Sequence, residues 1–250
     1  MRFDSTLALL WGEDDKPVGR TGLTIADFIA AAIAILDEHG AAGLSMRAVA
    51  ARLGVRTMAT YTFGNKEELV ALAVDRIYRD LYPGGEQLEG LDWRRGLTAV
   101  AHANRDLGLA HPWLYELQVV RSLMGPCELQ KRDHELVPLE STPLADAEKD
   151  QVLTQLLLHV EGMTRMETML RRERDATGLD DSQWWQAIMP TLMPVVDRRR
   201  FPLSSRVGLA AQAARQGRFW GEEAFEFGLD RLLDGIGVLI DRRRAMDHLA

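Results

Sequence analysis

The residues best suited to chemistry lie in one short stretch, residues 45–66, which is basic within an acidic chain. It contains Arg47, Arg52, Arg56 and Lys66 and no acidic residue, while the 250-residue chain has a formal net charge of −7. Guanidinium, ammonium and hydroxyl groups can bind phosphate oxygens and base edges. Because an acidic protein is repelled by a polyanion, a nucleic-acid contact would have to be confined to this patch. The alternative is a solvated charged face with no such role.

No comparable pattern indicates catalysis or metal binding. His102, His111, His134 and His159 are scattered, and no metal-ligand spacing such as HExxH occurs. The single cysteine, Cys127, excludes an intrachain disulfide and a cysteine-based zinc site. We therefore expect the chain not to be an enzyme and to need no metal or other cofactor.

The composition favours a globular cytoplasmic protein. The hydrophobic content of 46% is enough for a real core. No apolar run approaches the roughly 20 residues needed to cross a bilayer. Residues 1–20 carry four acidic residues and no signal-peptide stretch. The lone cysteine fits a reducing compartment.

Three short helices and one longer helix are predicted to position the basic stretch, over residues 24–82. Thr24 is a suitable N-cap for the first helix, with Asp27 at N3 and Gly40 at its end. The apolar residues of this helix recur on one face: Ile25, Phe28, Ile29, Ala32, Ile33 and Leu36. Ser45 can cap a second helix that ends at Gly54, where a positive φ is needed.

A third short helix is predicted over residues 56–63, and Asn65 can cap a fourth with Glu68 at N3. Residues 83–90, PGGEQLEG, break the periodicity and indicate a domain junction. Beyond it the chain reads as all-α, with no strand-rich pattern. The expected helices there cover about 92–110, 112–121, 126–136, 146–175, 182–194, 204–215 and 219–245. For residues 126–150 we expect a short irregular helix and a loop.

The domain organisation expected from these patterns has three parts. Residues 1–20 are predicted to be a flexible N-terminal arm. Residues 21–82 form one helical domain, and residues 91–250 form a second and larger one. The predicted helices at 146–175 and 219–245 are apolar on more than one face, so each needs a partner inside its domain and another outside it.

Several runs of residues carry a family resemblance. LSMRAVAARLGVRTMATY at 44–61, followed by NKEEL at 65–69, resembles the N-terminal DNA-binding domain of TetR family transcriptional repressors. AHPWLYEL at 110–117 and FEFGLDRLLDGI at 225–236 are similar to the C-terminal domain of a TetR subfamily. The resemblance implies an N-terminal three-helix helix-turn-helix domain and a larger C-terminal domain that binds ligands and dimerises through a four-helix bundle. It also implies a homodimer that binds a palindromic double-stranded DNA operator and is released by a small molecule.

The second helix of a helix-turn-helix lies in the major groove. Arg56 can pair with guanine, Thr57 or Thr60 with a base or phosphate, and Met58 or Ala59 with a thymine methyl. By resemblance, Arg47 reaches a base or the backbone, Tyr61 and Lys66 contact phosphates, and Thr24 does so through its hydroxyl and nearby amides. The predicted interface is Thr24, Ser45, Arg47, Arg56, Thr57, Met58, Ala59, Thr60, Tyr61 and Lys66. Two alternatives stay open: Arg52 lies on a solvated face, and the Tyr61 ring packs between helices.

The sequence departs from the family pattern at YTFGNK, residues 61–66, which is one residue short between the tyrosine and the lysine. A deletion within a helix would rotate everything after it by roughly 100° and move Lys66 off the DNA side. The pair Gly64 and Asn65 favours absorption by the loop, because a glycine followed by an N-cap makes an efficient junction.

The C-terminal domain is expected to bind an effector in an apolar cavity with a few polar groups. The candidate lining residues are Trp113, Leu117, His159, Met163, Met166, Glu167, Trp184, Trp185 and Phe227. The alternatives are core packing for the two methionines, a hydrogen-bonded core role for His159 and a packing anchor for Trp113. The candidate dimer residues are Leu229, Leu232, Leu233 and Ile236, which can equally be intradomain core. The rival to a DNA-binding regulator is a helical ligand-binding or scaffold protein without sequence-specific DNA activity.

Overall fold

The computed structural model describes residues 3–117, 123–216, 219 and 221–247, which are mainly helical. Its α-helices are α1 (Phe3–Leu10), α2 (Ile25–Gly43), α3 (Met46–Arg52), α4 (Lys66–Ile77), α5 (Trp93–Ala110), α6 (Trp113–Glu116), α7 (Pro126–Leu136), α8 (Asp146–Thr177), α9 (Asp181–Leu192), α10 (Pro202–Ala214) and α11 (Glu222–Asp247). Three 3₁₀ helices cover Thr57–Phe63, Glu86–Leu88 and Val137–Leu139. Within these residues no strand forms, which confirms the all-α prediction. In the same part of the chain, no helix is long and apolar enough to cross a membrane.

The caps that set the N-terminal helices are those expected from the sequence. Thr24 and Asp27 form a capping box at the start of α2, and Asn65 and Glu68 form one at the start of α4. The Ser45 hydroxyl accepts a hydrogen bond from the amide of Ala48 at 3.1 Å. Gly54 follows α3 with φ 68°, which allows the tight turn before the next helix. These local signals give α2, α3 and α4 their N-terminal boundaries.

The segment before α2, which the sequence predicts to be a flexible arm, contains a helix and packs against the residues that follow it. Phe3–Leu10 is helical, and Leu10 and Val18 lie in the hydrophobic core. Arg76 of α4 and Arg79, which follows α4, both donate to the carboxylate of Asp14, Arg76 at 2.6 Å. Asp14 thus ties this segment to α4 and the residues after it, a long-range pairing that sequence spacing does not reveal.

One core joins the N-terminal helices to the start of the C-terminal region. Phe28 of α2 and Phe63, the last residue of the 3₁₀ helix at Thr57–Phe63, are fully buried, with ring centroids 5.1 Å apart. Trp113 and Leu114 of α6 belong to the same cluster. The core therefore continues past the predicted junction at residues 83–90.

The chain divides into two compact units. The first consists of Met1–Arg165 and Leu229–Ala250, and the second of Met166–Gly228. The predicted junction at 83–90 lies inside the first unit, so our division at residues 21–82 and 91–250 remains a proposal about domains. Residues 126–136 form a regular helix rather than the short irregular one expected. The predicted helix at 112–121 extends beyond the described residues at 117.

Candidate nucleic-acid interface and ligand cavities

The segment after the α3 turn, Thr57–Phe63, is a 3₁₀ helix rather than an α-helix. A 3₁₀ helix has about three residues per turn, so residues three apart lie one above the other. Thr60 and Phe63 point into the core, whereas Met58 and Tyr61 are 75% and 59% exposed. This periodicity divides the segment into an inner row and an outer row of side chains.

Thr60 belongs to the inner row and is wrongly predicted as a base reader. Its side chain is fully buried, and its hydroxyl donates to the Thr57 carbonyl at 2.7 Å. Ala59 is half-buried and packs against the core. The short, polar side chain of Thr60 suited an interface by type, but the 3₁₀ period turns it inward. Thr57 remains half-buried at the start of the segment.

The exposed set consists of Ser45, Arg47, Arg56, Met58 and Tyr61. Within the described part of the chain, neither Arg47 nor Arg56 forms an ion pair. The Tyr61 ring is exposed, which excludes the alternative that it packs between helices. A large apolar Met58 side chain exposed beside cations is suited to apolar contact with a base.

Arg52 is held within the fold. Its two terminal nitrogens donate to the carboxylate of Glu38 in α2, at 2.8 and 2.6 Å. These hydrogen bonds lower the pKa of Glu38 and raise that of Arg52. The pair is bidentate, the geometry in which arginine holds a carboxylate firmly. Arg52 thus braces α3 against α2.

The short connection before α4 is absorbed by the loop, as the sequence indicated. Gly64 has φ 71°, and Asn65 caps α4 directly after it. The Lys66 ammonium donates to the Ala41 carbonyl, near the end of α2, at 2.5 Å. One of its three donors is therefore used within the fold, and a phosphate contact would use another.

Thr24 is occupied by the fold and is withdrawn as a phosphate contact. Its hydroxyl donates to Asp27 Oδ2 at 2.9 Å, and its amide donates to the same oxygen at 2.8 Å. The next two amides, of Ile25 and Ala26, donate to the carbonyls of Lys16 and Asp14. Asp27 already supplies the negative charge at this helix N-terminus, and the hydrogen bonds from Thr24 lower its pKa.

Two carboxylates, Asp37 and the buried Asp75, join the N-terminal helices to later ones. Asp37 Oδ1 in α2 accepts the indole N–H of Trp113 at 2.6 Å and lies 2.7 Å from Nδ1 of His111. Asp75 in α4 accepts the amide of Glu128 at 2.9 Å and caps the start of α7. Sequence reasoning missed both carboxylates. Trp113 packs in the core, as its alternative proposed, and its predicted ligand role stays a prediction.

The predicted ligand residues do not gather in one place. Leu117 packs against the N-terminal core, and His159 and Met163 lie half-buried in the first unit. Met166, Glu167, Trp184, Trp185 and Phe227 belong to the second unit, where Met166 and Phe227 are exposed. Of the nine, Trp185 and Glu167 each line a cavity in that unit.

The second unit contains two neighbouring cavities with different chemistry. One, of about 480 Å³, is mainly apolar and is lined by α9, α10 and the residues between and after them. The other, of about 620 Å³, is lined by four glutamates together with Arg174 and Arg215. Arg215 and Phe219 line both. The sequence analysis placed no residue of α10 at a ligand site.

The predicted dimer residues mostly face their own chain. Leu229, Leu233 and Ile236 are buried in the first unit, so for them the intradomain alternative is correct. Leu232 is half-buried. The four positions are spaced i, i+3, i+4 and i+7, so they share one face of α11, and that face packs mainly against its own chain.

Comparisons with known proteins agree with this geometry. A family model described as "Bacterial regulatory proteins, tetR family" matches residues 28–73, and one described as "Tetracyclin repressor-like, C-terminal domain" matches residues 86–240. The chain is 32% identical to the HTH-type transcriptional repressor DrrR1 of Streptomyces coeruleorubidus, over 96% of this chain and 87% of that protein.

Solved structures share the fold. The apo structure of ActR from Streptomyces coelicolor gives a TM-score of 0.67 at 22% identity, covering 85% of this chain and 94% of that one. The complex of ActR with actinorhodin also gives 0.67, at 21% identity, covering 86% and 97%. At these identities the likeness concerns the fold alone.

Proposed function

Because the chain belongs to the TetR family of bacterial regulatory proteins, we propose that it is a transcriptional repressor and not an enzyme. It binds a palindromic DNA operator as a homodimer and releases it when a small molecule binds. Because a bacterial DNA-binding regulator acts where the DNA is, it works in the cytoplasm. The observation that carries this proposal is the exposed set of Ser45, Arg47, Arg56, Met58 and Tyr61.

The roles of these residues follow from their exposure and chemistry. Arg56 opens the 3₁₀ helix with its guanidinium in solvent and can pair with a guanine edge, while Met58 meets a thymine methyl. Ser45, Arg47, Thr57 and Tyr61 contact the backbone or a neighbouring base, and Lys66 keeps two donors for phosphate. Because Arg52 pairs with Glu38, it holds the helices and does not read DNA.

For dimerisation we propose the outward faces of α8 and α11 in place of the buried residues first predicted. Leu158 and Gly162 are exposed on α8, and Gly235 is exposed on α11 beside the half-buried Leu232. A methyl group added at either glycine would meet no atom of its own chain within 4 Å. Two helices from each protomer can then pack closely in a four-helix bundle.

Ligand release is supported by the relatives and by the cavities of the second unit. The structure of ActR with actinorhodin shows that a protein of this fold binds a small molecule. A cavity of about 480 Å³ is large enough for a drug-sized ligand. The repressor DrrR1 supports repression as the output.

The test is selection of bound sequences from random double-stranded DNA by the purified protein, followed by affinity measurements on the selected sites. We expect an inverted repeat, with two half-sites in register on one face of the duplex. Enrichment of no sequence by a folded dimer would favour the helical scaffold protein without DNA activity. Repeating the selection with Arg56→Ala should change the bases preferred within each half-site, which ties the site to the proposed surface.

A further inference from the structure

The second unit has little apolar core of its own. Among its described residues, Phe225 is the only large apolar side chain that is fully buried. Along α10 no residue is buried. Such a unit gains stability from whatever covers its apolar surfaces. The cavity of about 480 Å³ between α9 and α10 is one such apolar surface with a defined shape.

We propose that this cavity binds flat aromatic molecules that carry a negative charge, and that such molecules are the class of effector this repressor detects. The regulatory consequence rests on the function proposed above, whereas binding of the molecule to the cavity does not. Its basis is the combination of an aromatic wall, a positive rim and open volume.

The aromatic wall comes from Trp185 and Phe219. Their ring centroids are 5.6 Å apart with planes 25° from parallel, and Trp184 meets Trp185 edge-on at 5.1 Å. Both Trp185 and Phe219 line the cavity, together with Met189, Leu192 and Leu209. Stacked rings and methionine side chains favour a planar apolar ligand.

The charge of the ligand follows from the lining. Arg198 and Arg215 are the charged residues that line this cavity, and no acidic residue does so within the part of the chain described. Arg198 Nη2 lies 3.3 Å from the sulfur of Met193, on the apolar wall itself. An anionic group of the ligand can reach this guanidinium while its rings stay on the apolar side. The hydroxyls of Ser204 and Ser205 supply further donors.

Gly208 lines the cavity within α10, and it gives a sharp test. A methyl group built there would meet no atom within 4 Å, so a side chain at this position has room to enter the cavity. Glycine is also unfavourable inside a helix. Gly208→Leu should therefore fill the site without loosening α10, which separates loss of the site from unfolding.

The experiment uses the full-length dimer and two fluorescent probes of similar shape. The probes are 8-anilinonaphthalene-1-sulfonate, which is anionic, and N-phenyl-1-naphthylamine, which is neutral. We expect one saturable sulfonate site per protomer. Arg198→Gln should weaken sulfonate binding by about tenfold, the loss of one charge-assisted hydrogen bond, and change the neutral probe by less than about threefold.

Matched variants show whether the probe sits in the cavity. Leu209→Gln and Gly208→Leu should each reduce the affinity for both probes at least about tenfold. Leu203→Gln changes an exposed leucine of the same helix outside the cavity and should leave both unchanged. Equal losses in Leu203→Gln and Leu209→Gln would show binding to any exposed apolar surface and overturn the proposal. So would absence of saturable binding, the result expected if a second copy covers the cavity.

Operator binding, measured in parallel, keeps this proposal separate from the proposed function. If the sulfonate probe binds as described and lowers operator affinity, and Gly208→Leu abolishes that effect while retaining operator binding, both proposals are supported. The protein could instead bind its operator while probe affinity, and the probe's effect on operator affinity, are unchanged by Gly208→Leu and Arg198→Gln. In that case the cavity proposal is wrong and the repressor proposal stands. Cavity binding by a protein that recognises no operator would contradict only the repressor proposal.

Discussion

Arg52 and Arg56 are four residues apart, yet they belong to different parts of the mechanism. Arg52 is paired bidentately with Glu38, whereas Arg56 projects into solvent without an ion pair among the described residues. A guanidinium already held by a carboxylate must give up that pair before it can bind DNA. Partners, rather than residue type, therefore separate Arg52, which pairs within the fold, from Arg56, which we propose contacts DNA.

Arg56→Ala is expected to cost about 1–3 kcal/mol of binding free energy on the selected operator and less on random DNA. Arg52→Ala is the matched control, because it removes the same charge from the same region. It should leave operator preference intact and destabilise the fold only slightly, because the Arg52–Glu38 pair is solvent-exposed. Titrations at one salt concentration and denaturant unfolding measure the two effects. Equal losses on both DNAs for Arg56→Ala would reassign it to phosphate contact.

At the scale of the element, the 3₁₀ helix at Thr57–Phe63 and the junction of α8 with α9 are stabilised in different ways. Burial of Thr60 and Phe63 stabilises the 3₁₀ helix, and a partly buried ion pair stabilises the junction. At the junction, Arg174 Nε and Nη2 both donate to the buried carboxylate of Asp181 at 2.7 Å, and the amide of Phe219 donates at 2.7 Å. Burial alone would raise the pKa of Asp181, but these hydrogen bonds outweigh it and lower the pKa.

This lowered pKa predicts a pH-dependent stability. A carboxyl whose folded pKa lies below its unfolded value stabilises the fold fully above the unfolded value, and the contribution is lost as pH falls through the folded pKa. Wild type should therefore exceed Asp181→Asn in unfolding free energy by a constant amount above about pH 5, with the difference shrinking below about pH 4. Denaturant unfolding at each pH measures this.

Arg174→Gln provides the control for that pH dependence. It should lose most of the same stability, and the double variant should lose little more than either single variant, because the two groups act as one pair. A difference between wild type and Asp181→Asn that stays constant down to pH 3 would contradict the assignment.

At the scale of the whole molecule, an acidic protein is expected to bind a polyanion through a local patch. Operator affinity should fall as salt rises, with a logarithmic slope of about 0.9 for each phosphate neutralised. Arg47→Gln should reduce the slope by about 1 for each protomer if Arg47 contacts phosphate. Affinity measured from 50 to 300 mM salt tests this, and salt-independent binding would contradict the proposed interface.

The proposed dimer surface makes a second prediction at this scale. Leu158→Glu should convert the dimer to monomer at micromolar concentration, because a charge would be buried against its symmetry mate. Leu203→Glu, the same change at an exposed leucine of α10, should leave a dimer. Sedimentation equilibrium distinguishes the two. A dimer that survives Leu158→Glu, or is lost in Leu203→Glu, would place the interface elsewhere.

Local signals in the sequence determined most of the secondary structure and the family. Thr24, Ser45 and Asn65 capped the helices they were expected to cap, and the helices at 126–136 and 146–177 lie close to their predicted bounds. Capping and apolar periodicity act over a few residues, so the sequence alone displays them. The candidate DNA-contact segment, residues 45–66, was likewise found from its charge pattern alone.

Tertiary structure decided which side chains are free to act. Thr60 turned inward and Thr24 paired with Asp27, while Leu229 and Leu233 packed inside their own chain. It also joined Asp14 to α4 and opened the cavity beside α10. Burial and long-range pairing depend on residues far apart in the chain, and no spacing within a helix specifies them. The sequence identified a DNA-binding regulator, and packing decided which of the predicted residues remain exposed.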